Sequence, residues 1–138
     1  MQRVQAFLDE IAQYFVDKNI DGLLDVSEYP YVLFGQTDTL VFATPNDFRS
    51  FLEGMFRQMP QLHAYQATFT GVEPYGDDLL FVRFEQTEWF EPTRPTDSQR
   101  RFVLLRQTGD DLRLMGAMLP LDQTNQLSEM ISAARMSQ

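Results

Sequence analysis

The chain has 138 residues, 20 of them acidic and 11 basic, with a formal net charge of −9. So acidic a surface repels the phosphates that a nucleic-acid binder must neutralise with clustered Lys and Arg, and the absence of cysteine excludes disulfides, thiolate chemistry and Cys-held metal. Apolar residues make up 43% and twelve are Phe, so one domain of this length can bury about 68% of its unfolded surface without covalent staples.

Residues 2–18 are expected to form a helix, because Val4, Phe7, Leu8, Ile11, Tyr14 and Phe15 recur at three- and four-residue steps and build one apolar stripe. Arg3, Asp9 and Glu10 interrupt that start, and no eighteen-residue apolar run exists, so the expectation is a cytoplasmic protein with no membrane span. Asn19 or Asp21 can cap a short second helix carrying Ile20, Leu23, Leu24 and Val26, which stops before Pro30. Tyr31–Phe34 and Leu40–Ala43 then read as a hairpin across the turn-type segment Gly35–Thr39. In Thr44-Pro45-Asn46-Asp47, Thr44 suits the N-cap, Pro45 the first helical position and Asp47 the positive helix end. The third helix shows Phe48, Phe51, Leu52, Met55, Phe56 and Met59 to one side and ends at Pro60.

A meander follows. Leu62–Val72 is a strand, Pro74–Asp77 a turn, and Asp78–Phe90 the long central strand. One parity of that strand runs Leu80, Val82, Phe84, Gln86, Glu88, Phe90, and the other Leu79, Phe81, Arg83, Glu85, Thr87, Trp89. Both begin apolar, so the strand is expected to be covered on both faces. If the more apolar parity points inward, Phe84, Gln86 and Glu88 line the interior, while Arg83 and Glu85 face outward. A proline-rich loop, Glu91–Gln99, leads to Arg100–Thr108, which pairs with Leu112–Leu119. A three-residue turn, Gly109-Asp110-Asp111, sets Gln107 against Arg113, Leu105 against Met115 and Val103 against Ala117. Gly116 fits a bend or bulge. Residues 121–136 read as a terminal helix within the same single domain, 1–138. Helices, a hairpin, a helix and then four antiparallel strands give an α+β class, with a curved sheet wrapped around the first helix.

The first helix, the Asn19-Ile20-Asp21-Gly22-Leu23-Leu24 connection, the Thr44-Pro45 helix start and the meander together resemble the nuclear transport factor 2-like superfamily. That superfamily is shared with ketosteroid isomerases and polyketide cyclases, and the resemblance covers residues 2–119. It implies a cone with a pocket between sheet and helices, and a homodimer through the outer sheet face. An isomerase-like base would fall near Phe34–Gly35 and the second acid near Val103, none of which can exchange a proton; Asp38 lies beyond, in the turn. The chain departs from the isomerase at both positions.

The candidate ligand-lining residues are Tyr14, Phe34, Phe84, Gln86, Glu88, Leu105 and Met115, mainly apolar as in a ligand cavity. A small apolar molecule is the expected ligand. The alternatives are a cyclase- or isomerase-like enzyme using Glu88 or Asp38 with Tyr14, and a dimeric interaction module. A carboxylate inside an apolar cone would have a raised pKa and could move protons. His63, the only histidine, opens the first meander strand, and Trp89 ends the central one beside the proline loop. No cofactor is expected: the sequence has no Gly-rich phosphate loop, nucleophile elbow or HExxH motif, nor spaced metal ligands.

Overall fold

The apolar stripe at the start of the chain does form a helix, α1 (Gln2–Asp17), and it buries Val4, Phe7, Leu8, Ile11 and Ala12. The computed structural model describes residues 2–35 and 38–118. The tip of the first hairpin and the expected terminal helix over 121–136 lie outside the described residues. The Asn19 side chain accepts the Gly22 N–H at 2.9 Å and opens α2 (Ile20–Asp25). Thr44 accepts the Asp47 N–H at 3.2 Å and, with Pro45 in the first turn, starts α3 (Pro45–Gln58).

The strands are β1 (Ser27–Phe34), β2 (Thr39–Phe42), β3 (Ala64–Tyr75), β4 (Leu79–Glu91), β5 (Arg94–Pro95), β6 (Gln99–Thr108) and β7 (Asp111–Met118). They form one curved, unclosed sheet in the order β2-β1-β7-β6-β4-β3, with β5 added to the end of β4. The pair β1–β7 is parallel and every other pair antiparallel, so the sheet is mixed. Local pattern cannot show that pairing, because it joins strands separated by most of the chain. β1 also begins at Ser27, earlier than the apolar run predicts. Ser27 is fully buried and donates its hydroxyl to the Leu23 carbonyl at 2.7 Å, which ties the end of α2 to the sheet.

One face of the sheet packs on the helices. Leu80, Val82 and Phe84 of β4, Val103 and Leu105 of β6, and Leu112 and Leu114 of β7 meet α1 there in one core. α3 docks on the β1–β2 hairpin through rings: Tyr31 stacks on Phe48 at 4.4 Å between centroids, and Phe42 lies 5.1 Å from both Phe48 and Phe51. Such pairs add about 0.5–1.5 kcal/mol each to the area they bury.

The β6–β7 register corrects the expected one. Thr108 pairs with Asp111, so the turn holds two residues, Gly109 and Asp110, with Gly109 at φ 60°. From that turn Gln107 pairs with Leu112 and Leu105 with Leu114; a bulge then intervenes, and Leu104 pairs with Gly116 and Val103 with Ala117. Met115 is the surplus residue and does not face Leu105. Gly116 has a second reason to be glycine, since a Cβ there would lie 2.6 Å from the Val32 carbonyl oxygen of β1.

β3 ends the sheet on one side, and an edge strand exposes a row of backbone donors and acceptors. Gln5 of α1 covers part of that row. Its amide oxygen accepts the Phe69 N–H at 2.8 Å, and its nitrogen donates to the Ala67 carbonyl at 2.7 Å and to Asp9 at 2.8 Å. A side-chain amide thereby occupies the place of a neighbouring strand.

The opposite face carries the other parity. Phe81 stacks on Phe102 at 5.3 Å, and Tyr75 meets Phe81 edge-on at 6.4 Å. Arg83 pairs with Glu73 at 2.7 Å, and Arg106 pairs with Glu28 at 2.8 Å and with Asp78. Among the described residues no helix is long and apolar enough to cross a membrane.

Candidate functional site

The inward parity of β4 changes character beyond Phe84. Gln86 is only 7% exposed, and Arg101, opposite Phe84 on β6, only 5%. A buried guanidinium needs hydrogen-bond partners to offset lost hydration. Arg101 donates from Nε to Gln86 Oε1 at 3.0 Å and from Nη2 to Gln99 Oε1 at 3.1 Å. Tyr65 of β3 donates its hydroxyl to the same Gln86 oxygen at 2.5 Å. The register explains the convergence: Ala67 and Gln99 both pair with Gln86, and Tyr65 pairs with Glu88, so three neighbouring strands present these side chains at one level of one face.

Glu88 completes the group, half-buried. Burial pushes its carboxyl above the usual carboxylate range, opposed by a hydrogen bond from Gln86 and by the Arg101 charge. Burial also pushes the Tyr65 hydroxyl up, so it stays protonated and donates. The apolar wall beside this row is aromatic: the Phe15 ring of α1 stacks on Tyr65 at 5.9 Å and meets Phe56 of α3 edge-on at 5.9 Å. The arrangement can hold the polar end of a molecule or exchange a proton at Glu88.

Of the sequence candidates, Phe84, Gln86 and Glu88 lie together here, and Leu105 is fully buried deeper on the same face. Met115 is half-buried at the β7 bulge. Tyr14 lies elsewhere, its ring against Gly22 and its hydroxyl donating to Glu10 at 2.5 Å. Phe34 is 40% exposed, on the same parity as outward-facing Phe102. His63 is exposed and Trp89 half-buried on the outward parity of β4. Sequence reasoning missed Tyr65, Gln99 and Arg101. Arg101 was legible, since Gln99, Arg101, Val103 and Leu105 alternate along β6, and the two apolar members fix which face all four share.

Two open grooves are lined by other residues, the second sharing only Phe56 with this group. One, of about 540 Å³, sits between Gln2, Arg3, Val4, Leu80, Gln107 and Leu112. The other, of about 440 Å³, sits between α2 and α3 and is lined by Lys18, Ile20, Glu53, Phe56, Arg57 and Met59. No group of three potential metal ligands occurs among the described residues.

No family profile and no curated protein matches the sequence. Solved structures do match. A Mycobacterium tuberculosis protein of unknown function superposes with a TM-score of 0.68 at 12% identity, over 98% of this chain and 88% of that one. A nuclear transport factor 2-like protein of unknown function from Shewanella oneidensis gives 0.66 at 7% identity, over 85% and 95%. Another such protein, from Pseudomonas putida, gives 0.61 at 12%, over 85% and 82%. The fold is nuclear transport factor 2-like. At these identities the likeness concerns backbone architecture, and what the nuclear transport factor 2-like scaffold does here rests on its own side chains.

Proposed function

We propose that this nuclear transport factor 2-like chain is a cytoplasmic small-molecule-binding protein whose ligand is mainly apolar and sets its polar end against Gln86 and Glu88. The observation that carries the proposal is the Tyr65–Gln86–Arg101 group, with Gln86 and Arg101 buried and Tyr65 half-buried, placed beside half-buried Glu88 on an otherwise apolar face. A core needs no such group, because an apolar replacement of buried charge is commonly neutral or stabilising, whereas a few convergent polar groups in an apolar setting orient a ligand. Solvent extraction of the purified protein followed by mass spectrometry tests the reading. The expected result is an amphipathic molecule in stoichiometric amount. A crystal structure in which the chain's own side chains fill all space around Gln86 and Glu88 would refute it.

A second reading is favoured by the raised carboxyl of Glu88, which suits a general acid or base in a cyclase- or isomerase-like reaction. Turnover of the extracted ligand that survives Glu88→Gln unchanged would exclude it. For the outer face we propose a second copy of the chain, packed on the Tyr75, Phe81 and Phe102 rings. Light scattering at micromolar concentration should then give twice the chain mass, and a monomer would refute that arrangement.

A further inference from the structure

The order of donors and acceptors in the inner row specifies the polar chemistry of the ligand, on the basis of the binding reading above. Gln86 Oε1 receives two donors, the Tyr65 hydroxyl at 2.5 Å and Arg101 Nε at 3.0 Å. An amide whose oxygen takes two donors has its nitrogen at the other end, and that nitrogen can only donate. Glu88 is the next residue of the same parity, and the Gln86 amide opposes the rise of its carboxyl. An ionised carboxylate accepts only, with about four lone-pair positions, more than one amide can fill. The row therefore runs from a cation, through a fixed amide, to an acceptor at the half-buried end. Two of the Arg101 nitrogens are directed at the amide oxygens of Gln86 and Gln99.

We infer that the site selects amphipathic ligands whose polar end is a hydrogen-bond donor, a hydroxyl or an N–H, and discriminates against carboxylates. A carboxylate would bring acceptor against acceptor and charge against like charge at Glu88. A donor completes the row, and the stacked Phe15 and Tyr65 rings supply an apolar wall for the body of the molecule.

Calorimetric titration with three probes of one shape tests this: 2-naphthol, 2-methoxynaphthalene, which cannot donate, and 2-naphthoate. A hydrogen bond to a charged acceptor should make 2-naphthol bind about tenfold or more tightly than the ether, with 2-naphthoate weakest. In Glu88→Gln the side chain can donate as well as accept, so the gap between 2-naphthol and 2-naphthoate should narrow, with the thermal transition confirming the fold. If 2-naphthoate binds as tightly as 2-naphthol, Arg101 sets the selectivity and the inference fails while the binding reading stands. Equal discrimination in wild type and Glu88→Gln also overturns it. If none of the three binds, the binding reading falls and the inference with it.

Discussion

Gln5 offers a quantitative test of how the open side of the sheet is held. Its amide meets the Phe69 N–H and the Ala67 carbonyl on β3 at 2.8 and 2.7 Å, both half-shielded from water. Gln5→Ala removes both bonds, and no side chain of similar reach replaces them. A protein hydrogen bond contributes about 0.5–1.5 kcal/mol net, so the loss should be about 1–3 kcal/mol. With an unfolding entropy of about 2.1 cal/mol/K per residue, a chain of 138 residues should melt roughly 3–10 °C lower. Gln5→Glu separates the two halves, because a carboxylate still accepts from Phe69 but sets acceptor against acceptor at Ala67. Urea denaturation measures the loss, and amide hydrogen exchange at Phe69 locates it. Unchanged stability with Phe69 as protected as before would refute the assignment of Gln5 as cover for the strand edge.

Three other outcomes follow from the geometry. Gly116→Ala drives a methyl to 2.6 Å from the Val32 carbonyl oxygen and should cost about 1–3 kcal/mol by forcing β1 from β7; a wild-type melting temperature would contradict this. Phe48→Ala removes the ring that joins Tyr31 and Phe42 to α3 and should cost about 3–5 kcal/mol, read by urea titration; a loss below 1 kcal/mol would contradict it. Glu88 binds its proton more tightly folded than unfolded, so its contribution favours folding at acid pH. That contribution falls as pH rises from about 4.3, the unfolded value, through the raised folded value. Stability measured from about pH 4 to about pH 7 should therefore improve in Glu88→Gln relative to wild type; an unchanged difference across that window would contradict the shift.

Much of the architecture is written locally. The α1 stripe, the Asn19 and Thr44 caps and the alternation of β4 each follow from short-range physics, and each is found in place. Pairings between distant segments are not local. The parallel β1–β7 ladder and the extension of β1 to Ser27 depend on what the end of the chain brings alongside. The inner group was half legible for a related reason. Gln86 and Glu88 stand out on a strand whose apolar parity is plain, but Arg101 sits next to Arg100 in sequence and looks like part of a basic loop until β6 is counted back from Leu105 and Val103. Tyr65 becomes visible only when β3 is set in register with Glu88.

The surplus residue in β7 acts as an expansion joint. The tight tip at Gly109 and Asp110 and the row holding Gln99 and Arg101 lie on opposite sides of it. A mismatch arising at the tip is absorbed around Met115 before it reaches Val103 and Ala117. Arg101 keeps its height beside Gln86 through the β4–β6 ladder, which runs without a shift from the Leu79–Arg106 pair to the Gln86–Gln99 pair. Changes of loop length at the tip would alter the silhouette of the molecule and spare the spacing between Arg101 and Gln86.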